Sequence, residues 1–119
     1  MRTVQIVLIT LVALLHFYFL ILEMFLWTTP RALKAFGLSI DLAKQTVVLA
    51  ANQGLYNGFL AAGLVWSLVN KSFPDQIAIF FLSCVIIAGV YGAYSTKKIK
   101  LFYIQGVPAV LALITILFT

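Results

Sequence analysis

The chain has 119 residues, 64% of them hydrophobic and 9% charged, against about 25% charged in a soluble domain. So few polar side chains cannot cover a water-facing surface, so the exterior must be lipid, and the length holds one domain. The single cysteine excludes an intrachain disulfide and a thiolate metal site, and the formal charge of +5 sits in loops, where it orients a membrane protein and contacts anionic lipid, not nucleic acid.

Four apolar runs are long enough to cross a bilayer, at roughly 20 residues each. They predict an all-α, four-helix transmembrane bundle in a single integral membrane domain, with helices over 4–27, 46–69, 76–95 and 101–119. None alternates apolar and polar residues at period two, which argues against strands.

The first run, Val4–Trp27, follows Arg2 in the manner of a signal peptide. It is longer than the usual 7–15-residue apolar region and has no small-x-small cleavage site, so it is expected to stay as a helix. Its "LLHFYFLILEMFLW" carries His16 and Glu23. At 100° per residue these fall within about 20° of each other, with Gln5 and Trp27 on the same stripe. A charge at mid-bilayer costs about 2.5–3.5 kcal/mol and faces protein or water. The two groups are roughly 10 Å apart along the axis, too far for a direct bond, so any coupling comes from another helix, a water or a ligand.

Between the first two runs, "PRALKAFGLSIDLAKQ" places Leu33, Phe36, Ile40 and Ala43 on one face, with Lys34, Asp41 and Lys44 opposite. This reads as a short interfacial helix, with Gly37 as a candidate break.

The second run, Thr46–Val69, is the most specialised. Asn52, Gln53, Tyr56 and Asn57 occupy an arc of about 140°, beside a smooth arc with Gly54-x-x-x-Gly58, a spacing that admits a neighbouring backbone closely. After the "KSFPD" turn, the third run carries Ser83, Cys84, Tyr91, Tyr94 and Ser95, with Gly92 as a further small packing position. The fourth carries Gln105 and Pro108, and Pro108 deprives the Ile104 carbonyl of its helical donor.

Arg31, Lys34, Lys44, Lys97, Lys98 and Lys100 lie in loops on one side, against Arg2 and Lys71 on the other. The bias predicts cytoplasmic basic loops and both termini outside. At that depth Glu23, Asn52, Gln53, Tyr91, Tyr94 and Gln105 share the cytoplasmic half, with His16 and Asn57 near the midplane. The expected ligand-binding set is therefore His16, Glu23, Asn52, Gln53, Tyr56, Asn57, Tyr91 and Gln105. Tyr56, Ser83 and Ser95 also fit plain interhelical contact, His16 fits a satisfied core position, and Cys84 an apolar filler. Interhelical contact does not need a carboxylate, so Glu23 is the functional candidate.

"LEMFLW" followed by Pro30 and Phe36-Gly37, then "NQGLYNGFLAAGLVW" and the "QGVPA" of Gln105–Ala109, resembles the bacterial domain-of-unknown-function family numbered 1304. The resemblance covers nearly the whole chain. It implies a small integral membrane protein of the bacterial cytoplasmic membrane and no particular reaction. Small multidrug-resistance exporters share the size and a helix-one glutamate, but their motif is absent around Glu23, and the charge bias opposes dual topology.

Three functions compete. A binding or transport protein would hold a small cationic or hydrogen-bonding solute against Glu23, and a proton-coupled carrier would use the same group. A membrane enzyme with isomerase-like acid–base chemistry would act on a lipid-like substrate through Glu23 or His16. An accessory subunit or homo-oligomer would cover the polar arc with a partner. No zinc-protease helix, nucleophile elbow or phosphate loop is present, and no metal or cofactor is expected.

Overall fold

The computed structural model describes residues 2–119, which form helices and no strand. In chain order these are α1 (Thr3–Met24), α2 (Pro30–Phe36), α3 (Ile40–Gln45), α4 (Val47–Val69), α5 (Pro74–Thr96) and α6 (Ile99–Leu117). Among the described residues α1, α5 and α6 are long and apolar enough to cross a membrane. At 23 residues α4 matches them in length, but Asn52, Gln53 and Asn57 hold its mean hydropathy below theirs.

The helix ends are set by backbone chemistry more than by hydropathy. α1 stops at Met24, short of the expected Trp27. The Ile21 carbonyl accepts from both Phe25 at 3.0 Å and Leu26 at 3.2 Å, the wider six-residue closure with which helices end. Pro30 then holds Thr29 extended, at φ −83° and ψ 157°, because its ring disfavours helical geometry in the residue before it.

Where one short helix with a candidate break at Gly37 was expected, two helices are found, parted at that glycine. Gly37 adopts the left-handed region at φ 64° and ψ 44°, which costs a residue with a Cβ but not glycine. Leu38 closes the turn by donating to the Leu33 carbonyl at 2.9 Å. Ser39 restarts the helix, its hydroxyl accepting from the Leu42 N–H at 3.1 Å, with Asp41 in the first turn of α3 and Lys44 in the last, complementing the helix dipole.

The chain divides into two compact units, one spanning His16–Phe59 and the other joining residues up to Leu15 with Leu60–Thr119. The second unit has a dry core in which Ile9, Val12, Leu64, Leu82 and Val85 are fully buried among Ala78, Ala109 and Ala112. Small residues set its helix spacing. A Cβ on Gly63 would collide with the Phe81 ring, and one on Gly89 would lie 3.5 Å from the Gly106 backbone. Its buried amide is satisfied, since Gln5 donates to the Thr115 carbonyl at 2.8 Å and the Thr119 hydroxyl at 2.9 Å. α6 runs through Pro108 without a break. Large apolar side chains such as Val48, Phe80 and Ile87 are exposed, a surface suited to hydrocarbon and not to water.

Candidate functional site

The site lies within the unit His16–Phe59 and begins with a close helix contact. A Cβ on Gly54 would stand 2.6 Å from Met24 Cγ and 3.2 Å from the Leu20 carbonyl oxygen, and one on Gly58 would stand 2.7 Å from Leu20 Cδ1. Met24 therefore faces Gly54 and Leu20 faces Gly58, the antiparallel pairing of the end of α1 with the first half of α4. Only glycines leave room for this approach.

That approach joins Glu23 to Asn57, whose Nδ2 donates to Glu23 Oε1. Both residues are buried, 5% and 7% exposed. Burying a carboxylate is costly without partners. An amide donor satisfies a lone pair but brings no counter-charge, so the pair remains electrostatically incomplete in its ionised form.

Beside Glu23 is an open recess of about 280 Å³, lined also by Trp27, Leu38, Leu42, Thr46, Leu49, Ala50 and Gln53. Its walls come from three places: the segment after α1, the α2–α3 hinge with α3, and the first turns of α4. The Trp27 indole is fixed, because Nε1 donates to the Thr46 hydroxyl at 3.0 Å. That hydroxyl in turn donates to the Leu42 carbonyl at 2.8 Å. Phe36 of α2 tilts against Trp27 at a ring separation of 5.0 Å and meets Phe19 of α1 edge-on at 6.4 Å. Aromatic pairs at these separations contribute about 0.5–1.5 kcal/mol beyond area burial, so α2 is held against the end of α1 through the Phe36 ring.

The sequence-predicted residues separate on inspection. Glu23 and Asn57 meet directly, and Gln53 shares the recess wall with Glu23. His16 is fully buried on α1, edge-on to Phe19 at 5.6 Å. Asn52 is exposed and turns back on its own helix, donating to the Val48 carbonyl at 2.9 Å. Tyr56 is exposed beside Phe59. Exposed Tyr91 and half-buried Gln105 belong to the other unit. Gly92, expected to pack, has open space around it among the described residues: a Cβ there would meet nothing within 4 Å. A small residue permits close approach but cannot bring a neighbour to it.

Sequence reasoning missed the recess walls. Leu38, Leu42 and Thr46 reach the site because Gly37 ends α2 and α3 sets off in a new direction; the sequence offered Gly37 as a break but not the direction the chain takes beyond it. The available signal was Trp27, whose ring N–H needs a partner once half-buried. Among the described residues, no three His, Cys, Asp or Glu side chains gather to hold a metal ion.

A family model described as "Protein of unknown function (DUF1304)" matches residues 10–117. The "Uncharacterized protein YpaA" of Lactococcus lactis subsp. lactis (strain IL1403) is 32% identical over 120 residues, covering 99% of this chain and 100% of the relative. No solved structure matches.

Proposed function

The chain belongs to the DUF1304 family, and from that footing we propose that it is a small multi-pass protein of the bacterial cytoplasmic membrane that binds or transports a small solute at Glu23. In this reading α1, α4, α5 and α6 span the bilayer as one integral domain, and α2 and α3 lie at the interface. The basic loops are cytoplasmic and both termini outside. Three helices are apolar enough for such a role, and the distribution of lysine and arginine supports the orientation.

One observation carries the functional reading: a buried carboxylate, held by an amide from a neighbouring helix, borders an open recess. A group that served contact alone would need neither the charge nor the opening. A cationic or hydrogen-bonding solute completes the site by meeting the lone pairs that Asn57 leaves. An enzyme acting on a lipid-like substrate would need an enclosed apolar pocket around the same carboxylate, and the openness of the recess favours the solute.

Native mass spectrometry of the purified protein tests this. The parent protein is expected to carry a small molecule that Glu23→Gln releases while both proteins melt alike. Equal retention by both would remove Glu23 from the site and with it the reading.

A further inference from the structure

The recess combines one carboxylate with walls made mainly of carbon. Leu38, Leu42, Leu49 and Ala50 line it beside the Trp27 ring. Thr46 adds little polarity, because its hydroxyl already accepts from Trp27 Nε1 and donates to the Leu42 carbonyl. We propose that the occupant is an apolar-bodied monocation, of the alkyl- or cycloalkylammonium class, with its ammonium at Glu23 and its hydrocarbon against Trp27 and the leucines. This rests on the solute-binding reading above and narrows it.

The charge argument comes first. Asn57 gives Glu23 a hydrogen bond without a charge, and a monovalent ammonium supplies both donors and charge at once. Divalent cations take six or more oxygen ligands or keep several waters, and among the described residues no cluster of His, Cys, Asp and Glu offers them.

The walls exclude the other candidates. A hydrophilic cation would give up its water against Leu38, Leu42 and Leu49, where the Gln53 amide is the one wall group left to replace it. A neutral alcohol would fit the walls and leave the carboxylate without a counter-charge. An ammonium bearing hydrocarbon matches both surfaces, and the fixed indole adds the attraction of a cation for an aromatic ring. The volume, about 280 Å³, falls just below the usual range of about 300–1,000 Å³ for ligand pockets, which suits a small body, a single short chain or one ring.

The test uses the full chain in detergent with Trp66→Phe, so that Trp27 alone reports by fluorescence, in mildly alkaline buffer. Cyclohexylammonium, cyclohexanol, ethanolammonium and magnesium are titrated separately. Cyclohexylammonium is expected to give a saturable change at about tenfold lower concentration than any other, a difference of about 1.4 kcal/mol. Glu23→Gln should abolish that preference over cyclohexanol. Leu42→Asn, at a half-exposed wall position that does not threaten the fold, should abolish the preference over ethanolammonium. Ethanolammonium or magnesium binding as tightly, and lost in Glu23→Gln, would overturn this inference and leave the solute reading intact. Cyclohexanol binding equally, unchanged in Glu23→Gln, would overturn both. No response to any probe would overturn the inference, and the co-purified molecule would then decide the broader reading separately.

Discussion

Glu23 and Asn57 are one interaction made of two side chains, and each substitution has a different consequence. Glu23→Gln keeps the volume and an oxygen for Asn57, so the melting temperature should stay close to the parent's while solute binding is lost. Asn57→Leu removes the donor from a buried carboxylate and should cost about 1–3 kcal/mol, as stranded buried polar groups do. Replacing both residues by leucine should cost less than Glu23→Leu and Asn57→Leu added together, because no polar group is then stranded. Thermal melts of the four proteins, parent included, measure this coupling. Simple additivity would mean that the two groups do not depend on each other.

The glycines of the helices make the next prediction. Gly54→Ala must push Met24 and press on the Leu20 carbonyl, an overpacking expected to cost about 1–3 kcal/mol. Gly92→Ala meets open space and should be neutral or stabilising by up to about 1 kcal/mol through helix propensity alone. Gly37→Ala puts a Cβ into the left-handed region at a cost of about 1–2 kcal/mol. Melting the three variants side by side checks the ranking, and a Gly92 variant as damaged as Gly54 would refute it. The same residues show how far local pattern reaches. Small residues four apart mark a face where a helix can come close, and at Gly54 and Gly58 α1 does. Gly92 carries the same local mark with nothing beside it, because the partner of a face is a property of distant sequence. Helical runs were legible from unbroken apolarity, whereas the end of α1 was not, since Phe25 and Leu26 continue the hydrocarbon after the hydrogen bonding has closed. Asn52 and Asn57 shared one polar arc on the helical wheel, at its two edges. What separated them was which one α1 faces, and Asn52 instead bonds its own Val48 carbonyl.

For the molecule as a whole, the expected topology can be read chemically. Cysteines at Ala35 and Ser72 in a Cys84→Ser background should react with an impermeant thiol reagent from opposite sides, Ala35 from the cytoplasm. Ala35 is preferable to Ser39, whose hydroxyl caps α3. Labelling of both from one side, or in the reverse sense, would overturn the orientation drawn from the basic loops and the cytoplasmic access of the recess. Small residues, caps and rings explain each unit by itself. The orientation rests on a different term, the placement of Lys and Arg between apolar runs, and so is independent of every contact described above.

The two units differ in how the chain supplies them, and this gives each a different history during synthesis. The stretch His16–Phe59 is continuous, so everything that builds the recess has left the ribosome before α5 emerges from it. The other unit is interrupted and needs both ends of the chain. Gln5 must wait for Thr115 and Thr119, 110 and 114 residues later, which at about 5–20 residues per second is roughly 5–20 s of elongation. The entropy of closing so long a loop grows only slowly with its length, about 0.6 kcal/mol per doubling, so the interruption costs time more than stability. Glu23 can therefore find Asn57 early, while the amide of Gln5 is among the last polar groups in the chain to be satisfied.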